Sequence, residues 1–279
     1  MAKTKRLIRE KLKLIDIVVE LADARLPMSS RNPDIDTLCA NKPRIIALNK
    51  SDMADDAVTK EWVSWYQKQG IRVVPICSIT GMGLNKLKEE ITLQLKEKKQ
   101  RDDARGMTGR TIKMMVVGIP NVGKSAFVNK IAGRASTMTG DRPGVTRTTQ
   151  WIRIPGGYEL LDTPGVLWPK FDDKKIAFNL AFTGAIKDEI MDVEQIAMKL
   201  CVFLRENYKA ELCQRYKLED IDDLEEHELL EMIARKRGCI LSGGEVDTHR
   251  VAGIILDEFR GVKIGRISLE RPDTDGGKL

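Results

Sequence analysis

The sequence predicts a mostly parallel α/β domain over residues 1–172, followed by a small, mainly helical domain over 173–279. Three observations carry this. Short β-branched apolar runs alternate with helix-spaced segments through the first part, the pattern of strand–helix–strand units. After about residue 172 the apolar residues fall at helical spacing instead. Hydrophobic residues are 42% and charged residues 32% of the 279, a soluble balance with enough apolar mass for a core in each part.

The elements follow in order. Residues 1–13 are rich in Lys and Arg. Ile15 to Ala22 is β-branched and predicts a buried strand, ended by Asp23-Ala-Arg-Leu-Pro27. Arg44 to Leu48 predicts a second strand that stops at Asn49. Glu61 to Gln69 has helical character and Gly70 ends it. Ile71 to Cys77 predicts a third strand. Leu84, Leu87, Ile91 and Leu95 share one face of a helix expected over Leu84 to Lys99. The polar stretch 98–111 predicts a linker or exposed loop. Lys113 to Val117 predicts a fourth strand, followed by a Gly-rich turn and a helix. In the second part, Val193, Ile196, Ala197, Leu200 and Leu204 keep helical spacing behind an Asp192 cap. Leu229, Leu230 and Ile233 lead to a stop at Gly238. Val251, Ile254, Ile255 and Phe259 repeat the pattern before Gly261, and the Val262 to Leu269 tail predicts an extended piece.

Gly118-Ile-Pro-Asn-Val-Gly-Lys-Ser125 follows a strand and opens a helix, the setting a phosphate-binding P-loop requires. Its backbone N–H groups, those of Asn121, Val122 and Gly123 among them, can converge on phosphate oxygens. Lys124 places a cation at the β and γ phosphates, and the Ser125 hydroxyl can bind Mg²⁺. Asp162-Thr-Pro-Gly165 lies about 40 residues on, behind Leu160-Leu161. There Asp162 can hold Mg²⁺ through water, and the Gly165 N–H can meet the γ-phosphate. Between the two motifs Thr146 is the candidate switch hydroxyl for Mg²⁺, with Thr137, Thr139, Thr148 and Thr149 as competitors. Asn49-Lys-Ser-Asp52 ends a strand. A carboxylate at Asp52 can accept both N1–H and N2–H of guanine, Lys50 can cover the base plane, and Asn49 can tie this loop to the P-loop. Cys77-Ser78-Ile-Thr80 ends the next strand, where GTPases often carry Ser-Ala-Lys; Ser78 fits and the two residues after it depart. Backbone contact to guanine O6 survives such changes. These motifs give a P-loop GTPase in circularly permuted order, with the guanine reader upstream of the phosphate loop. A parallel sheet tolerates such a cut because its original ends lie close together.

With Asp23-Ala-Arg-Leu-Pro-Met-Ser-Ser-Arg-Asn-Pro33 and Gly140-Asp-Arg-Pro-Gly-Val-Thr-Arg147, the chain resembles the bacterial ribosome biogenesis GTPase A family over its whole length. The resemblance implies a role in late assembly of the large ribosomal subunit and a C-terminal domain that touches ribosomal RNA. It also implies a potassium ion at Asn121, which otherwise suits a simple loop cap. Val166 stands where many GTPases place a water-orienting Gln, and a Val cannot orient water by hydrogen bonding. Family members usually carry Trp-Phe-Pro-Gly-His before the Met-Ala-Lys that opens this sequence, and that His is proposed to assist hydrolysis. The sequence given starts at Met1, so slow hydrolysis is expected of it. His227 and His249, the two histidines present, are expected at the surface or as caps.

The remaining composition bounds partners. Lys and Arg number 47 against 41 Asp and Glu, a net charge of +6 that suits an anionic partner such as rRNA. Basic residues cluster at 3–13, at Arg235-Lys-Arg237, and at Arg250, Arg260, Lys263 and Arg266. Aromatics at 5% argue against a base-stacking surface. Five Cys without a Cys-x-x-Cys pair suggest reduced thiols in a cytoplasmic protein. No apolar run suits a membrane span, and Asp16 and Glu20 interrupt any signal-peptide core. A monomer that binds GTP and GDP is expected. The rival is a regulatory or RNA-modification GTPase that never engages the ribosome. A P-loop ATPase with a chance Asn-Lys-x-Asp is disfavoured.

Overall fold

The computed structural model describes residues 9–104, 106, 110–133, 150–162, 173–186 and 192–272. The chain divides into two compact units: Met1–Lys170 with Ser268–Leu279, and Phe171–Ile267.

Among the described residues the first unit holds one six-stranded sheet. Its strands are β1 (Ile17–Asp23), β2 (Arg44–Asn49), β3 (Arg72–Pro75), β4 (Ile112–Gly118), β5 (Gln150–Ile154) and β6 (Tyr158–Asp162). The order across the sheet is β3-β2-β1-β4-β6-β5. Every pair is parallel except the β5–β6 hairpin. All seven β1 residues are buried, as a central strand covered on both faces requires. The chain steps outward from β1 to β2 and β3, then crosses to β4 on the other side of β1. That reversal is a topological switch point, and in parallel sheets ligands bind beyond the strand ends there.

Helices cover the sheet, and local chemistry sets their limits. Helix α1 is Pro33–Leu38, with Asn32 as its cap and Pro at its start. Helix α2 (Asp56–Lys68) starts where Asp55 accepts the N–H groups of Ala57 at 2.8 Å and Val58 at 3.3 Å. Its residues Val58, Trp62 and Tyr66 recur at i, i+4 and i+8 and pack on Ala22, Ile46, Leu48 and Val73. Burying Trp62 contributes on the order of 2–3 kcal/mol. Helix α3 (Leu84–Gln94) buries Leu84, Leu87 and Ile91, and Leu95 is its C-cap. The expected helix to Lys99 therefore breaks here. The stretch 98–111, expected as a loop, is instead helical up to Ala104 within α4 (Lys96–Ala104). Lys, Glu, Gln, Arg and Ala are good helix formers, and no Gly or Pro interrupts them until Gly106. Helix α5 (Lys124–Ala132) follows β4.

The second unit contains α6 (Lys174–Phe182), α7 (Val193–Asn207), α8 (Lys209–Tyr216), α9 (Glu226–Lys236) and α10 (Thr248–Arg260). Asp192 caps α7 through the N–H groups of Glu194 and Gln195. Glu225 and Glu228 form a capping box at α9. Glu258 of α10, 4% exposed, accepts from Arg215, Arg237 and the Tyr216 hydroxyl, so its buried charge is fully paired. His227 and His249 are both exposed.

The last described residues return to the first unit. Leu269 N–H donates to Arg25 O at 2.6 Å. The Glu270 carboxylate accepts the N–H groups of Met28 at 2.8 Å and Ser29 at 3.1 Å, and the Ser29 hydroxyl. Trp62 Nε1 donates to Glu270 O at 3.0 Å.

Candidate functional site

The parallel register brings the ends of four strands to one edge. Asp23 lies opposite Asn49, Leu21 opposite Gly118, and Val116 opposite Asp162. The loop from Gly118 to Ser125 leaves this edge and enters α5, whose N-terminus carries a partial positive charge.

Asn49 joins three loops. Its Nδ2 donates to Val122 O at 2.7 Å, inside the phosphate loop. Its Oδ1 accepts from Ser78 N at 2.9 Å and Ser78 Oγ at 2.7 Å. Both residues are buried, so each bond replaces water that cannot reach them. Gly123 makes the approach possible. Its φ is +94°, and a Cβ there would collide with Asn49 Nδ2. Ser78, expected to help present the loop to guanine, commits both its N–H and its hydroxyl to Asn49. The following amide, that of Ile79, is the next one along the loop.

Lys50 reaches the same loop from one residue further on. Its Nζ donates to Asn121 O at 2.7 Å and lies 3.1 Å from Asp23 Oδ2. Lys50 and Asn121 both adopt left-handed backbone, with φ of 58° and 57°, a strained state that clusters at functional loops. Asp52 is exposed, so its carboxylate is open to a ligand. Val122 is buried. Lys124 is buried apart from 7%, and its Nζ donates to Gly118 O at 3.4 Å and Ile119 O at 3.3 Å. Ser125 is the second residue of α5. Asp162 ends β6, beside the strand that carries the phosphate loop. Thr146, Gly165 and Val166 lie outside the described residues.

Two site residues were given no role from sequence. Asp23 ends β1 and takes Arg25 as a bidentate partner, Nε at 3.0 Å and Nη2 at 2.8 Å, along with Lys50. Burial alone would raise its pKa; the Arg25 and Lys50 cations outweigh that and hold it well below the usual carboxylate range. The available signal was a carboxylate closing an apolar strand, with an Arg two residues later. The other feature is Glu270, which fixes the loop after β1 from about 240 residues away, a pairing no local pattern announces.

A family model described as a 50S ribosome-binding GTPase matches residues 113–238. It therefore begins at β4 and omits the upstream Asn49-Lys-Ser-Asp52 segment. The chain is 47% identical to ribosome biogenesis GTPase A of Bacillus pumilus, covering 98% of this chain and 97% of that one. It is 48% identical to the Bacillus licheniformis protein of that name, covering 98% and 96%. A solved GDP-bound structure of TM YlqF matches with a TM-score of 0.70 and 28% identity, covering 96% of this chain and all of that one. The GNP-bound YlqF from Thermotoga maritima matches with a TM-score of 0.67 and 29% identity, over 97% and 99%. Motif order, sheet topology and relatives this similar over nearly the full length agree: the chain belongs to the ribosome biogenesis GTPase A family and is a circularly permuted P-loop GTPase.

Proposed function

We propose that this GTPase is a nucleotide-controlled switch in late assembly of the large ribosomal subunit, acting in the cytoplasm as a monomer. The observation that carries the switch is the three-way junction at Asn49. It makes the base-reading loop, the Ser78 loop and the phosphate loop one body, so base and phosphates are held in fixed relation. Asp52 accepts from guanine N1–H and N2–H. Ser78 supports that loop through Asn49, and the Ile79 amide meets guanine O6. Lys50 covers the base with its stem while its amine stays on the phosphate loop. The backbone of Asn121, Val122 and Gly123 cradles the phosphates, and Lys124 neutralises them.

GTPases of this family generally use Mg²⁺, a hard cation that prefers oxygen ligands. The oxygen-bearing residues Ser125 and Asp162 fit it, coming from the segments after β4 and at the end of the adjacent β6. Thr146 completes the set when the γ-phosphate is present, and the Gly165 N–H meets that phosphate. A bound cation supplies electrostatic stabilisation of the transferring phosphoryl group. Asn121 is the ligand for potassium. Val166 gives no hydrogen bond to the attacking water, so hydrolysis is slow until a partner orders that water. The basic residues of the helical unit contact rRNA phosphates.

Two experiments test this. Asp52→Asn should weaken GTP binding by about 100-fold and favour xanthosine triphosphate, because a charged bidentate partner is lost. A variant that still prefers GTP rejects the guanine-reader role. With a non-hydrolysable GTP analogue the protein should co-sediment with large subunits, and with GDP it should mostly not. Equal co-sedimentation in both states rejects the switch.

A further inference from the structure

At the opposite edge of the sheet, where β1 and β4 begin, lies a cavity of about 360 Å³. Five cations line it: Lys13, Lys42, Lys98, Arg110 and Lys113. Its carboxylates are Asp16 and Glu159, so five positive charges against two leave a formal excess of three. The cations come from separate segments: the one before β1, the one before β2, helix α4, and the entry to β4 with its first residues.

The charges are gathered by structure and only partly neutralised. Asp16, 5% exposed, pairs with Lys98 and with Arg110 at 3.3 Å, and accepts the Lys113 N–H at 2.8 Å. Asp102 takes Arg110 from its other side at 3.1 Å, and Glu159 is 3.8 Å from Arg153. Lys42 donates to Ile15 O at 2.8 Å, a neutral partner. Desolvation and the neighbouring Lys98 push the Lys42 pKa down against the pull of Asp16. Like charges held together in a concave surface raise the local concentration of anions, and one bound anion would relieve that repulsion. Asp16 and Asp102 hold the Arg110 guanidinium, so the lysines supply the point charges that face an anion.

We propose that this cavity is a second phosphate site, separate from the phosphate loop, and that it takes a backbone phosphate of RNA. The choice of RNA as the carrier rests on the reading of the protein as a ribosome-assembly GTPase; the charge and shape of the cavity do not. The site anchors the sheet unit to RNA at the edge away from the nucleotide, so it works in either nucleotide state.

The test uses the full chain saturated with GDP, which fills the phosphate loop. Binding of a short single-stranded RNA is measured by fluorescence anisotropy over a range of potassium chloride, with and without inorganic pyrophosphate. Lys42→Gln with Lys98→Gln should weaken RNA binding by about tenfold and reduce the log–log salt slope by roughly 0.7, the value for one phosphate contact on a single strand. Lys60→Gln with Lys68→Gln removes the same charge from exposed positions of α2 and should change affinity less than about twofold. Lys13→Gln, at an exposed position, should weaken RNA binding too and guards against a double variant that fails to fold. Pyrophosphate should compete with RNA in the wild type. Equal losses in the cavity and control pairs would mean net charge alone is felt and would overturn the site. Pyrophosphate binding that needs Lys42 and Lys98, without RNA binding, would assign the cavity to a free polyphosphate and overturn the RNA reading. If the cavity variants bind RNA normally while GTP-dependent co-sedimentation persists, only this inference fails. If the wild type co-sediments equally with GTP analogue and GDP, the switch fails and the cavity result stands apart.

Discussion

At the edge where β1, β2 and β4 end, Asn49 and a set of main-chain groups hold the loops together, with Lys50 and Asp23 paired beside them. At the edge where β1 and β4 begin, charged side chains do that work around Asp16. The first arrangement uses short neutral bonds at Asn49 and a glycine that admits close approach. It leaves an exposed carboxylate, Asp52, free to choose a ligand. The second uses cations on flexible stems with a surplus of positive charge. Main-chain geometry gives a fixed shape for one ligand, while clustered charge gives attraction that tolerates varied shapes. The difference matches a site that must discriminate one base and a site that need only find a phosphate.

The comparison can be broken at the nucleotide edge first. Gly123→Ala should lower nucleotide affinity more than 100-fold, on the order of 3 kcal/mol, because it strains φ and pushes Asn49 out of its junction. Titration with a fluorescent GDP analogue reads this directly, and near-normal binding would show that the junction can relax. Asp23→Ala comes next, with a stability loss of about 3 kcal/mol or more in urea unfolding, since it strands buried Arg25 against Lys50. The sign with pH follows from the lowered pKa of Asp23. Its contribution is full above the unfolded carboxylate pKa of about 3.9 and fades as pH falls below it. The gap between wild type and variant should therefore stay constant from pH 7 to about 5 and close in stronger acid. A gap that widened in acid would contradict the pairing.

At the other edge the two readouts should move in opposite directions. Asp16→Asn removes the shared partner of Lys98 and Arg110 and should cost about 1–2 kcal/mol of stability. The same change adds to the positive surplus and should tighten RNA binding at low salt. Loss of both stability and RNA affinity would mean that the cations need Asp16 to hold their places. The smallest effect should be at Ile79, 76% exposed beside Ser78. Ile79→Ala should shift stability by less than about 0.5 kcal/mol and leave guanine affinity nearly unchanged, because the loop is held by Ser78 and main chain. A large drop in affinity would give that side chain a role in holding the base.

Much of this was legible in the sequence because the chemistry is local. The strands around Val18, Ile46 and Val116 announce themselves by β-branched runs, and the motif loops by glycines and polar residues at fixed offsets. Helix α4 was not legible: it has no apolar face, so its propensity had no pattern to support it. Strand β5 alternates exposed Trp151 and Arg153 with buried Ile152 and Ile154, but the exposed Trp masks that alternation in the sequence. The roles of Asp23 and of the Asp16 cavity depend on which charges the fold brings side by side. Those pairings span from two residues, for Arg25, to more than ninety, for Arg110 and Asp16, and only the nearer kind leaves a trace in the sequence.

The return of Ser268–Glu270 to the first unit makes the helical unit an insertion, covalently fixed at both ends. Suppose the helices between Phe171 and Ile267 melt while Glu270 keeps its bonds to Met28 and Ser29. The intervening chain then becomes a closed flexible loop, with an entropic cost of about 4 kcal/mol from (3/2)RT ln n. The sheet unit must bear that cost or release its own terminal segment, including the bond from Trp62. Chain connectivity alone thus couples the melting of the two units. Truncation at the helical boundary would also strip the sheet unit of Glu270, so a faithful excision must rejoin the chain ahead of Ser268.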